Sequence, residues 1–431
     1  MLKITSLFPQ DSLIQSDALP LSMEDTWHKA SEHSKKIELR HFEEEVSKEE
    51  IREAQFERLP EVTIKGHIEY ASNLAMYTKG LFEKPEQHEV IHMLYRIGTD
   101  IYINIYNGNK LNLTIDKRKF LHEIAEEQKN YTASEIKLQA STYYLHLQRS
   151  IIFKELMIKD IANQEKQLVE IRQLLKNGVV LKSDELRVEL KLSNQKMMLV
   201  QIENDIAIAN QKLNILIGLS DNQIILPTEK IKPQTIPLNS YEEYLKEAME
   251  KSYEYHISEK RTEISKIQLQ YTRANVRPKV GFYGDLFLAN PQIFLFPYSP
   301  SNYTLGIFGI KASLPISEFY MNKPKTKIAI LELEKEELEH HDTDDKIRQQ
   351  VYESYLRFKE ALINIDVARV NVEQAEENAR IIKHNYFNQT VLITDLLDAD
   401  ILVIQTKLEF ISSEIEAQKR YYQLQNIIGN L

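Results

Sequence analysis

Cysteine is absent from the 431 residues. That excludes disulfides, thiolate metal sites, a cysteine nucleophile and a lipidated N-terminal cysteine. Also missing is any run of the ~20 apolar residues that a membrane-spanning helix needs. Barrel strands leave a much weaker mark, so this absence leaves a β-barrel open. The first residues, MLKITSLFPQDSL, hold no secretory apolar core and no small-residue cleavage site. Taken alone they predict a cytoplasmic chain, although a mature protein or a misassigned start codon would read the same. Acidic residues outnumber basic ones, 64 to 54. The net charge of −10 argues against a nucleic-acid partner, because phosphate binding needs a basic surface. Hydrophobic content of 42% with 27% charged residues is that of an ordered chain.

The usual marks of catalysis are missing too. There is no phosphate loop, no GxSxG elbow and no HExxH. The twelve histidines are scattered. His340 and His341 are adjacent in an acidic helical stretch, so they point in different directions and make a poor chelate. The acidic residues follow helix-surface spacing rather than forming dyads. No catalytic residue, cofactor or metal is expected, and the chain is not read as an enzyme. Trp27, the one tryptophan, reads as a packing residue of the first helix.

Where glycine and proline are missing, the architecture emerges. Neither occurs between Gly108 and Gly178, or between Gly178 and Gly218. No glycine lies between Gly309 and Gly429, and no proline follows Pro324. Both residues break helix interiors. Four long helices are therefore predicted, near 110–176, 183–217, 320–387 and 394–428. At ~1.5 Å per residue the longest would span roughly 100 Å, a length that belongs in a coiled coil, a bundle or a helical barrel. Leu199, Ile202, Ile206, Ala209, Leu213 and Leu216 alternate steps of three and four, as do Leu397, Ile401, Ile404, Leu408, Ile411 and Ile415. That is heptad packing.

Strands are predicted where glycine and proline collect. The segment 61–71 alternates apolar and polar residues, and 94–106 places Ile97, Thr99, Ile101, Ile103 and Ile105 on one face. Two more run near 279–289 and 303–314. Between the pairs lie aromatic-rich loops, with Tyr77, Phe82 and Tyr95 in the first and Phe294, Phe296, Tyr298 and Tyr303 in the second. Membrane-interface girdles look like this, and so do the cores of soluble hairpins.

The chain also matches itself. Residues 22–60 align without gaps on 240–278, pairing Ser22 with Ser240, Ala30 with Ala248 and Pro60 with Pro278. Residues 177–218 align on 388–429, pairing Asp184 with Asp395 and Gly218 with Gly429. The predicted organisation is an extended segment over 1–21, a first repeat over 22–218, a linker over 219–239 and a second repeat over 240–429. Each repeat reads helix, two strands, long helix, tight turn, helix. Asn177-Gly178 suits a left-handed helix end. Ser183 and Thr394 are the predicted N-caps of the returning helices, with Asp184 and Asp395 in the first turn. Four strands per chain cannot close a barrel, whereas three chains would supply twelve, so a homo-oligomer is expected.

This pattern resembles the TolC-type outer-membrane efflux proteins over almost the whole chain, from about Leu21 to Leu431. Tyr106-Asn-Gly-Asn-Lys110 is similar to the family's exit from the second strand. Asn177-Gly-Val-Val-Leu-Lys-Ser-Asp184 and Thr394-Asp-Leu-Leu-Asp-Ala399 are similar to its two periplasmic tips. The resemblance implies a mainly α fold with membrane strands: long coiled-coil hairpins forming a trimeric α-barrel, and four strands per chain contributing to a 12-stranded β-barrel. It implies residence in the cell outer membrane with a periplasmic extension, the signal peptide being already removed or the start misassigned, and contact with outer-membrane lipid. It implies a homotrimeric, passive exit duct, opened at its periplasmic end and coupled to an inner-membrane transporter through a periplasmic adaptor. The linker would sit in the equatorial region. The tip turns, Asn177, Gly178, Val179, Val180, Ser183 and Asp184 with Asn388, Gln389 and Thr394, would meet the adaptor.

The resemblance also implies a gate. Asp395 and Asp398 match the family's aperture aspartates, and three copies would bring six carboxylates to a narrow opening that attracts cations. Tyr386 matches a tip tyrosine that holds the closed state. Against these stand simpler roles: Asp395 on the helix dipole, Asp398 as a solvated charge, Tyr386 as coiled-coil packing. Two departures stand out. Gln389 replaces a common glycine, which predicts a differently shaped turn. Val391 replaces an arginine that latches the aperture in some members. The chain ends two residues after Gly429, so no C-terminal extension is expected around the tunnel. Only the second tip has paired aspartates, while the first offers Asp184 with Arg187, so the inner gate is predicted in the second repeat. Two other readings remain: a soluble coiled-coil scaffold whose short strands are caps, and a family member that exports proteins or polysaccharide.

Overall fold

The computed structural model describes residues 18–229, 237–292, 297 and 299–431. In chain order its elements begin with β1 (Leu19–Leu21), α1 (Met23–His33), α2 (Lys35–Phe56), β2 (Glu61–Tyr70), β3 (Leu74–Met76), β4 (Glu86–His88), β5 (Met93–Tyr106), α3 (Lys110–Lys176) and α4 (Lys182–Ile217). They continue with β6 (Ile225–Pro227), α5 (Tyr241–Lys251), α6 (Tyr253–Arg273), β7 (Lys279–Asn290), β8 (Tyr303–Ser313), α7 (Glu318–Phe387) and α8 (Ile393–Ile427). All four long helices and all four long strands lie within about two residues of their predicted bounds. The chain divides into two compact units that cut across the repeats. One takes the chain up to Phe42 with Glu126–Ile257 and His341–Leu431; the other takes Glu43–Ala125 and Ser258–His340.

The second of these units holds one antiparallel sheet in the order β2-β5-β7-β8. The middle pairing, β5 on β7, joins strands of different repeats. Alternation gives the sheet two unlike faces. Val62, Ile64, Ile68, Ile97, Leu286, Phe308 and Ile310 share one apolar face, and all are exposed. The other face carries Lys65 bound to Asp100 at 2.5 Å and Arg96 bound to Asp285, with the Arg96 guanidinium 3.8 Å over the Phe287 ring. One detail departs from the sequence reading. Register shifts between Asn104 and Tyr106, so Ile105 is bulged out of the face that holds Ile97, Ile101 and Ile103. In the first strand connection Tyr77 and Phe82 are exposed beside the small β3–β4 hairpin, while Tyr95 belongs to β5 and donates its hydroxyl to Asn302. Phe294, Phe296 and Tyr298 lie outside the described residues; Tyr303 opens β8.

The predicted lead-in helix of each repeat is two helices. Each first helix opens with a capping box. Ser22 Oγ accepts the Asp25 N–H at 3.1 Å while the Asp25 carboxylate accepts the Ser22 N–H, and Ser240 with Glu243 does the same. Each stops at a serine with extended backbone, Ser34 at ψ 110° and Ser252 at ψ 123°, which ends the helical hydrogen-bond ladder.

In the first unit the core packs Tyr144, Leu145, Leu147 and Leu213 against Ala30 and Leu21. Trp27 is a packing residue, as expected: its indole donates to Ser141 Oγ at 2.8 Å, and its ring meets Tyr422 edge-on at 5.6 Å. The predicted α4 stripe from Leu199 to Leu216 faces this core and its neighbour. The segments read as extended at 1–21 and as linker at 219–239 contribute a short parallel pair, β1 on β6, which the sequence did not announce. Residues 1–17 and 230–236 of those segments lie outside the described residues.

Candidate functional site: the paired tips

The α3–α4 and α7–α8 turns are built alike. After α3, the Gly178 N–H donates to Leu175 O at 3.0 Å and the Val179 N–H to Leu174 O at 2.9 Å. After α7, the Gln389 N–H donates to Tyr386 O at 2.9 Å and the Thr390 N–H to Asn385 O at 3.0 Å. Both are Schellman closures with a left-handed residue, Gly178 at φ 69° and Gln389 at φ 61°. The differently shaped turn predicted from Gln389 is therefore absent. Glutamine adopts the glycine conformation because the hydrogen bonds on either side of it hold the chain there.

The predicted N-caps are corrected. Helices α4 and α8 start at Lys182 and Ile393, which makes Leu181 and Leu392 the caps and places Ser183 and Thr394 one residue inside. Neither leucine can cap through its side chain. The aspartates reach back instead: the Leu181 N–H donates to Asp184 Oδ2 at 3.2 Å and the Leu392 N–H to Asp395 Oδ2 at 2.9 Å. This reciprocal half of a capping box also puts negative charge at the positive end of the helix dipole.

The two tips share one groove. Val179, Val180, Ser183 and Asp184 from the first line it with Tyr386, Gln389 and Thr394 from the second. Asn177, Gly178 and Asn388 form the turns themselves. Tyr386 is 6% exposed and packs with Ile171, Val188 and Leu396. Its hydroxyl is buried without a partner among the described residues. Burial, helped by the Asp184 carboxylate, pushes that hydroxyl above its ordinary titration range. Val391 packs on the same apolar cluster. Asp395 and Asp398 are exposed, and Asp398 lines a second groove with Arg187, Lys191 and Gln405 between α4 and α8.

Two polar features here were not foreseen. Glu185 is buried and ties the hairpin together: Arg172 of α3 donates to it at 2.9 Å and to Glu189 at 2.6 Å, and Lys182 binds the same Glu185 carboxylate. Further along, Lys191 is buried between carboxylates of α3 and α8. The signal for both lay in the heptad. Extended backwards from Leu199, the α4 series runs Gln195, Leu192, Val188, Glu185, and so puts polar residues on core positions.

No protein-family model matches the sequence, and no curated protein does. Solved structures do match. A structure of the CusC channel superposes with a TM-score of 0.80 at 12% identity, covering 99% of this chain and 96% of that one. The outer-membrane protein VceC of Vibrio cholerae gives a TM-score of 0.75 at 13% identity, with 94% and 96% covered. The open-state MtrE outer-membrane channel of Neisseria gonorrhoeae gives 0.73 at 14%, with 94% and 88% covered. The fold is that of the TolC-type outer-membrane channels, and this chain has it from end to end of the region compared.

Proposed function

We propose that the chain is one of three identical subunits of an outer-membrane duct, a passive exit that opens at its periplasmic end. The four-stranded sheet carries the reading. Its strands are 10, 14, 12 and 11 residues long, and a membrane-spanning strand needs about 9–11. Ile64 and Ile68, at 74% and 77% exposed, sit on a face that water disfavours and lipid accepts. Among the described residues β2 and β8 each pair on one side only, which leaves two open edges. Open edges invite pairing with further copies, and three copies give twelve strands. A soluble scaffold would leave this aliphatic face in water, so the sheet favours the duct.

Helix surfaces agree. Leu190, Met197, Ile208 and Ile215 of α4 and Tyr352, Leu356, Ile363 and Val367 of α7 are exposed at coiled-coil-like spacing. Neighbouring copies would cover them. In such a trimer Asp395 and Asp398 form the aperture ring, Tyr386 supports the closed packing, and the tip turns receive a periplasmic adaptor that links the duct to an inner-membrane transporter. Capping by Asp395 and a place in the ring are compatible, since one carboxylate oxygen accepts the Leu392 N–H. The test is membrane fractionation with chemical crosslinking in intact cells. The reading requires the chain in the outer membrane as a trimer; a monomer in a soluble fraction overturns it.

A further inference from the structure

Lys191 is 8% exposed, an unusual place for an ammonium. It donates to Asp400 Oδ2 of α8 at 3.2 Å. Gln164 of α3 donates its amide N–H to the same oxygen at 3.1 Å. Asp160 of α3 accepts the amide N–H of Gln195, which lies one turn along α4 from Lys191. The cluster thus ties α8 to the α3–α4 hairpin with polar groups from all three helices. Met157, Ile161, Leu192 and Leu397 form the apolar packing around it.

Its charges do not balance. Asp160 and Asp400 face one buried ammonium. The other charged groups turned toward it are Asp398 and Lys407 of α8, and Lys407 is committed to Glu376 of α7 at 2.5 Å. Negative charge is left in excess. Its hydrogen bonds do not balance either. The side-chain oxygens of Gln164 and Gln195 are buried with no donor among the described residues. A single added proton on a carboxyl removes one negative charge and supplies one O–H donor where two acceptors are idle. Asp160 is the carboxyl best placed to take it. Burial raises it above the ordinary carboxylate range, against the pull of Lys191. Asp400 already accepts two charge-assisted or amide donors.

We propose that the Asp160–Lys191–Asp400 cluster is a proton-linked clasp that holds α8 on the α3–α4 hairpin more tightly when it has taken up one proton, and releases it more readily when that proton is lost. On separation, water solvates every member, Asp160 returns to its ordinary range, and the proton leaves. Acid therefore favours the clasped packing. One proton can shift such an equilibrium by at most about tenfold per pH unit. The link to gating rests on the duct reading, in which the tips must part to open; the clasp would make the aperture tighter in acid.

The experiment reads the packing directly. The chain has no cysteine, so spin labels can be placed at Ser193→Cys on α4 and Leu402→Cys on α8, both exposed. Full-length labelled chain, diluted with unlabelled chain in detergent, is measured by pulsed electron resonance over a pH series that runs upward from the ordinary carboxylate range, since a carboxyl raised by burial titrates above it. The longer separations should gain population as pH rises. Asp160→Asn should abolish that dependence and hold the acid distribution throughout. Wild-type distances independent of pH, or an undiminished shift in Asp160→Asn, overturns the clasp. The distances need no conductance, so a chain that fails to conduct counts against the duct alone.

Discussion

A Cβ on Gly429 would stand 2.3 Å from the carbonyl oxygen of Lys251. Lys251 is the last residue of α5, and Gly429 follows α8 at φ 80°. The first repeat makes the same contact with different chemistry: a Cβ on Gly218, at φ 75°, would stand 2.4 Å from the His33 ring at the end of α1. Each repeat thus closes by laying its final glycine on the end of its own first helix.

Three alanine substitutions should rank accordingly. Gly429→Ala meets fixed backbone and also forces a left-handed alanine, so it should cost about 2–4 kcal/mol. Gly218→Ala meets a ring that can rotate and should cost less. Gly178→Ala, at φ 69° with open space around it, should cost about 1 kcal/mol. Denaturation midpoints measured on the three variants check the order; equal losses would contradict it.

Gln389→Gly is expected to stabilise. It relieves a left-handed glutamine at about 1–2 kcal/mol but gives the unfolded chain extra freedom worth about half of that. A net gain of about 0.5–1 kcal/mol should appear as a raised midpoint, and a lowered midpoint would show that the glutamine side chain holds the turn.

Burial also raises the Glu414 carboxyl on α8 above its usual 4.5. The folded chain then holds that proton more tightly than the unfolded chain. Stability contributed by this group therefore falls as pH rises from 4.5 through the raised value, and stays low above it. Glu414→Gln should raise the melting midpoint at neutral pH, with the advantage shrinking as pH drops through that window. An advantage that persists unchanged in acid would contradict burial as the cause.

The two faces of the sheet make a further contrast. Ile64→Arg on the exposed aliphatic face should cost about 2–4 kcal/mol in a bilayer if it lies near the midplane. Thr63→Arg, one residue away on the polar face, should be close to neutral. Folding titrations into lipid vesicles measure both. Equal tolerance of the two would place that aliphatic face in water.

Much of this was legible in the sequence, because long uninterrupted periods leave strong marks. The strands are known from their alternation and the long helices from missing glycine and proline, each to within a residue or two. The heptad from Leu199 to Leu216 finds the core it implied. What escaped was local. Leu181 and Leu392 cap their helices with no capping side chain, since the hydrogen bond comes backwards from Asp184 and Asp395. Ser34 and Ser252 break their helices through backbone torsion, and serine alone does not announce a break. Three-residue β1 and β6 are too short to show a period. The cluster of half-buried Asp160 and Asp400 around buried Lys191 escaped as well, although Gln195 and Glu185 on heptad core positions marked the helix face as polar inside. At the tips, Tyr386 lies beside Asp184 and both turns line one groove, a proximity between distant stretches of chain that leaves no local mark. The roles proposed for Asp395 and Asp398 require an assembly of several chains.

Single-channel recording in planar bilayers tests the duct most directly. Purified wild-type chain should insert as a trimer and give stepwise, cation-selective conductance, and the double variant Asp395→Ala, Asp398→Ala should keep conducting with reduced cation selectivity. A protein that leaves the bilayer silent under conditions that insert other barrels would contradict the duct itself; unchanged selectivity in the double variant would remove the carboxylate ring from it.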